Sequence, residues 1–122
     1  MPAMTWITRP AVGLLAGVVT VGALGALLMP GHYVPQPFFP NQDKVEHAAL
    51  FATLCLLWRW AGVPAGRLFV CACALAALTE ILQWMMGMGR TADVLDAGAD
   101  AIGAALGIGA WTAVARGRRP RG

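Results

Sequence analysis

A chain of 122 residues has room for one domain, and this one is 58% hydrophobic, only 12% charged, with a mean hydropathy of +0.64. Soluble domains carry about 25% charged residues, so the composition argues against a soluble globular body and for one that sits in lipid. The net charge of +3 does not point to nucleic acid, because the basic residues gather at the ends of apolar runs instead of forming a face.

The first apolar run, residues 11–29, follows Arg9 and holds no charge. A spanning helix needs about 20 apolar residues, so the run is long enough to cross. The rival reading is a cleaved signal peptide with Arg9 as its basic flank, for which the run is long. Gly13 and Gly17 form a GxxxG pair that would let another helix approach closely. Residues 30–42 contain Pro30, Pro35, Pro37 and Pro40 and are not helix. Tyr33, Phe38 and Phe39 suit a loop resting at the membrane surface.

The second run, residues 45–63, opens with Glu46 and His47 and closes with Arg59; Gly62, Pro64 and Gly66 then mark a turn. The third, residues 68–88, carries a lone carboxylate, Glu80. Only residues 89–92 separate it from the fourth, residues 93–115, so those two helices are expected to be antiparallel neighbours. Cys55, Cys71 and Cys73 lie inside apolar runs; an odd count there is no disulfide framework, and they read as small apolar side chains. The expectation is an all-α membrane protein, a bundle of four transmembrane helices forming one membrane domain over residues 1–122. With four spans, Arg9, Arg59, Arg67, Arg116, Arg118, Arg119 and Arg121 share one side and Lys44 and Arg90 the other. The excess of basic residues puts both termini in the cytoplasm. Trp6, Trp58, Trp60, Trp84 and Trp111 all fall near span ends, as an interfacial belt requires.

Every acidic residue then falls toward the outer side: Asp43 and Glu46 on the second helix, Glu80 on the third, Asp93, Asp96 and Asp100 on the fourth. At 1.5 Å per residue, Glu80 lies about 12 Å and Asp100 about 10 Å below the outer surface, with His47, Gln83 and Asp96 at roughly 5–8 Å and Asp43, Lys44, Arg90 and Asp93 at the rim. Asp93, Asp96, Asp100, Gly103 and Gly107 trace one helical stripe; so do Asp43, His47 and Phe51, and so do Glu80, Gln83 and Gly87. Such stripes belong inside a bundle, because carboxylates facing lipid are costly. Asp93 also suits the N-terminal dipole of its helix. Asp43, Lys44 and Glu46 also read as solvated charges, and His47 as a structural histidine. Glu80 and Asp100 are too deep for such readings.

The ordered set Asp43-Lys44-x-x-His47-x-x-x-Phe51, Glu80-x-x-Gln83, Gly89-Arg90, Asp93-x-x-Asp96, Gly103 and Gly107 resembles the VanZ-like family of small bacterial membrane proteins, over residues 43–107. The departure is Asp100, where the family usually has asparagine. The resemblance implies a multispanning protein of the bacterial cytoplasmic membrane, in a family whose namesake is associated with low-level teicoplanin resistance.

Three functions stay open on the residues alone. In the first, Arg90, Lys44 and His47 hold the anionic headgroup of an envelope lipid or glycan precursor, with Asp43, Gln83, Asp93 and Asp100 as further binding residues. Glu80 or Asp96, together with His47, would then supply acid–base chemistry. No recognised nucleophile motif or phosphate loop accompanies them. In the second, the chain is a small proton- or cation-coupled carrier. Six acids against Lys44 and Arg90 call for protonation or a bound cation, Mg²⁺ or Ca²⁺ suiting hard oxygen ligands. In the third, the chain is a scaffold or accessory subunit whose small-residue faces permit homo-oligomers. The bilayer is the partner common to all three, and nucleic acid to none.

Overall fold

The computed structural model describes residues 8–29, 33, 35–87 and 94–117. It contains four helices: α1 (Thr8–Leu27), α2 (Gln42–Ala61), α3 (Ala65–Met86) and α4 (Val94–Gly117). Each agrees with one of the four apolar runs to within a few residues. The helices α1, α3 and α4 are long and apolar enough to cross a membrane. The remaining helix, α2, has the length but carries Asp43, Lys44 and Glu46 near its start and Arg59 in its last turn.

The helix ends follow local chemistry. Helix α2 starts after Asn41, which sits at φ 60°, a left-handed conformation that asparagine tolerates better than most residues. Its other end closes on Gly62 at φ 109°: the Gly62 N–H donates to Arg59 O and the Val63 N–H to Trp58 O. That paired 5→2 and 6→1 pattern satisfies carbonyls the helix itself leaves open, and Pro64 then prevents continuation. The Arg59 guanidinium adds a bond to Val63 O at 3.1 Å.

Packing is organised around α2 and α4, which run parallel and make the most extensive contact in the bundle, with α1 against α2 and α3 against α4. The reason is legible in the residues between them. Gly103 and Gly107 of α4 rest directly on the backbone at Ala48 and Ala52 of α2, so close that a Cβ at Gly103 would stand 2.7 Å from Ala48 Cα. Two small residues four apart on each helix let the backbones approach and make dispersion contacts that lipid cannot match. From Asp96 to Gly107 the stripe expected for α4 does face the bundle; Asp93 lies outside the described residues. The short link made α3 the expected neighbour of α4; α3 is one, but α2 packs on α4 over a longer stretch.

Helix α1 packs through Val12, Ala16, Ala23 and Leu27. Among the described residues nothing stands within 4 Å of where a Cβ at Gly13 or Gly17 would be, so the glycine pair lies on another face of α1. At one end of the bundle Trp60 stacks on Trp111, centroids 5.8 Å apart, and Trp58 Nε1 donates to Thr20 at 3.0 Å. Trp84 lies toward the opposite end; Trp6 is outside the described residues. Large apolar side chains such as Leu14, Val21, Val70 and Leu106 point outward, as a lipid-facing surface requires.

Candidate functional site

The end of the bundle opposite the Trp60–Trp111 pair holds the polar residues. On α2, His47 and Phe51 are buried one turn apart. On α4, Asp96 and Asp100 continue the Gly103–Gly107 stripe outward, also buried. On α3, Thr79, Glu80 and Gln83 are buried above the alanine positions Ala72 and Ala76. Three helices thus bury polar groups at one level.

Close approach of α2 and α4 sets the central contact. Asp100 has a short side chain, yet its Oδ1 reaches His47 Nδ1 at 2.8 Å because the glycines one and two turns below draw the helices together. An ionised carboxylate only accepts, so Nδ1 carries the proton in that state. The other ring nitrogen lies 4.0 Å from Asp96 Oδ2, and Asp96 Oδ1 is 3.4 Å from Lys44 Nζ. Lys44 also stands 3.7 Å from Asp43. Its ammonium therefore turns inward, between two carboxylates. Glu80 closes the group from α3: one ligand atom each from His47, Glu80 and Asp100 lies within 4.8 Å of the others.

Asp100 is 0% exposed, Asp96 7% and Glu80 8%. Three carboxylates are thus buried close to the point where the Lys44 ammonium meets Asp96, and charge buried in this way has to be compensated nearby.

A cavity of about 210 Å³ opens beside this cluster, lined by Ala26, Leu27, Met29, Pro35, Asp43, Glu46, His47 and Leu50. A second of about 400 Å³ lies under the proline-rich residues 35–42 and shares Pro35, Asp43 and Glu46. His47 is where the inner cluster meets this space; neither Glu80 nor Asp100 lines it.

Of the residues singled out from the sequence, His47, Glu80, Asp96, Asp100, Lys44 and Asp43 come together here. Gln83 does not join the ion pairs; its amide donates to the Leu27 carbonyl at 2.5 Å and ties α3 to α1. Arg90 and Asp93 lie outside the described residues. Glu46 emerges as a wall of both cavities, whereas from the sequence it read as a loop-end charge. Its place three residues from Asp43 on one helical face was the available signal.

Four helices, three of them apolar enough to span, with an ionisable cluster from three helices buried between them, define a helical membrane protein with a buried polar cluster. The family model VanZ/LLP1 matches residues 10–115, and the chain belongs to that family. The match extends beyond residues 43–107, where the motif residues lie, to take in α1. No curated protein and no solved structure matches the chain.

Proposed function

We propose that this VanZ-like protein crosses the bacterial cytoplasmic membrane four times with both termini in the cytoplasm, and that its outer cavity binds an envelope lipid or glycan precursor. The observation that carries this reading is the two-sided lining of the 210 Å³ cavity: Ala26, Leu27, Met29 and Leu50 on one side, Asp43, Glu46 and His47 on the other. An apolar wall beside a polar one fits an amphiphile, tail against the former and headgroup against the latter. The polar wall is rich in acceptors, so it suits hydroxyl-bearing sugar groups better than phosphate. Lys44, the nearest cation among the described residues, is already engaged by Asp96 and Asp43. Phe38, 95% exposed at the cavity rim, belongs in a headgroup layer more than in water.

The test is binding of an alkyl glycoside and an alkyl phosphate of equal chain length to the protein in nanodiscs, followed by native mass spectrometry. The parent is expected to retain the glycoside in preference to the phosphate. Leu50→Trp, which fills the cavity, should lose it. Equal retention by parent and Leu50→Trp would remove the cavity from the function. The scaffold reading would then stand on the links the polar groups make between helices, His47–Asp100 and Gln83–Leu27. A role in glycopeptide resistance, which family membership suggests, predicts altered teicoplanin susceptibility in cells lacking the chain.

A further inference from the structure

The end of the bundle that carries the Trp60–Trp111 pair, opposite the acidic cluster, has a chemistry that the cavity beside His47 does not account for. We infer that it holds one anionic phospholipid, the phosphate on Arg9 and Arg59 and one acyl chain in a cleft lined by Trp58 and Leu75.

Two arginines from different helices meet here at one turn. Arg9 of α1 lays its guanidinium over Gly62, with Nη1 3.5 Å from where a Cβ at that residue would stand. Arg59 of α2 turns to the next residue, its Nη1 donating to Val63 O at 3.1 Å. Arg67 in the first turn of α3 and Arg116 in the last turn of α4 add two more positive charges at the same end. The described carboxylates are distant: even Glu46, Glu80 and Asp100 lie at least about 16 Å along their helices from this end. Two helices begin here and two finish, so their macrodipoles largely cancel and the side-chain charge remains. Setting an orientation in the membrane calls for basic residues at one end, but not for two of them to converge on one turn. A guanidinium holds phosphate through parallel N–H donors, and Arg9 is exposed to present them.

The cleft supplies the apolar half. It has a volume of about 160 Å³, and its walls include Thr20 of α1, Cys55 and Trp58 of α2, and Leu68, Cys71 and Leu75 of α3. Trp58 adjoins Arg59 and Leu68 lies in the first turn of α3, so the cleft reaches down to the Gly62–Val63 turn. Its hydroxyl and its indole N–H are already paired: Thr20 Oγ1 donates to Ala16 O at 2.7 Å and accepts from Trp58 Nε1 at 3.0 Å. The thiols of Cys55 and Cys71 bond only weakly, so the cleft suits hydrocarbon and not a headgroup. An apolar cavity of about 150 Å³ takes one benzene, which makes this one fit about six carbons of a chain.

Positive charge beside an apolar cleft, on helices embedded in lipid, is complementary to an anionic phospholipid; basic pockets between membrane helices hold such headgroups. The inference does not rest on what fills the cavity beside His47, which lies at the other end of the bundle.

The experiment places the full-length protein in phosphatidylcholine nanodiscs with a titrated fraction of phosphatidylglycerol and reads the lipid retained on the released protein by native mass spectrometry. The expected result is one phosphatidylglycerol per chain, retained in preference to phosphatidylcholine. A basic residue facing an anionic surface contributes about fivefold, so Arg9→Gln with Arg59→Gln should cut the preference by roughly thirtyfold. Leu75→Trp fills the cleft with both guanidiniums intact and should lose the lipid. Equal retention of the two lipids by the parent overturns the inference, as does a preference that survives the double arginine variant. Retention that survives Leu75→Trp, or displacement by an equal concentration of inorganic phosphate, also overturns it, because the chain would then contribute nothing. Where a variant does not fold, phosphatidylglycerol with a diazirine on its acyl chain decides on the parent. Crosslinks concentrated at Cys55, Cys71 and Leu75 support the site, and equal labelling of the outward-facing Leu106 of α4 overturns it.

Discussion

Asp100 is completely buried, and what holds it there is a 2.8 Å contact with His47. Removing one partner of such a pair is costlier than weakening it, because the remaining polar group stays buried without compensation. Asp100→Ala leaves His47 Nδ1 facing a void and is expected to destabilise the fold by about 3 kcal/mol, the lower end for breaking a buried ion pair. Asp100→Asn keeps a carbonyl oxygen of the same reach, able to accept from a neutral imidazole, and should cost under about 1 kcal/mol. Thermal unfolding of the two variants in one detergent checks the ordering. Equal losses would mean that charge, not the hydrogen bond, secures the residue. Since the resembling family usually has asparagine here, a well-folded Asp100→Asn protein is the outcome the resemblance also implies.

At the scale of elements, the contact between α2 and α4 governs where everything else lies. The overlap of a Cβ at Gly107 would be with the Ala52 backbone, which has no flexible end to move aside. Gly107→Leu must separate the two helices, carrying Asp100 away from His47, and overpacking of this kind costs about 1–3 kcal/mol or more. Gly109→Leu is the matched control, since Gly109 on the same helix has nothing within 4 Å. Size-exclusion profiles and unfolding temperatures should show the first variant impaired and the second close to the parent. The α4 side of this contact was legible in the sequence, because Asp96, Asp100, Gly103 and Gly107 recur at helical spacing and carboxylates stand out in an apolar run. The α2 side was not. Ala48 and Ala52 carry no signal in a helix full of small and apolar residues, so α4's principal partner was read from the short link to α3 instead. Gln83 was likewise legible as a buried polar residue but not as a partner of Leu27, since a backbone carbonyl leaves no trace in composition. Lys44, placed at the rim by counting residues, reaches inward to Asp96 because a long flexible stem lets its ammonium lie far from its Cα.

At the scale of the whole molecule, the decisive question is whether α2 crosses the membrane, since it is the helix whose charges depart from a plain apolar span. Helix α2 runs parallel to α4 and meets it at both ends, His47 with Asp100 and Trp60 with Trp111. Fourteen residues from His47 to Trp60 cover about 20 Å of a hydrocarbon layer roughly 30 Å thick. The charges of α2 lie outside that interval or at its edge, Asp43, Lys44 and Glu46 before it and Arg59 at its close. A helix so bracketed can cross if its ends reach the headgroups, where lysine and arginine extend toward water. On the proposed topology, seven basic residues on the side of the termini against Lys44 and Arg90 on the other would orient the bundle with the polar cluster outward. The expected outcome follows for single cysteines introduced after Cys55, Cys71 and Cys73 are replaced. Gln36→Cys reacts with a membrane-impermeant maleimide in intact spheroplasts, while Arg67→Cys, in the first turn of α3, reacts only after permeabilisation. Labelling of both from outside would mean that α2 does not cross. Labelling of Arg67→Cys alone would invert the bundle, turning the cavity and its acidic residues toward the cytoplasm and removing the envelope-side ligand from consideration.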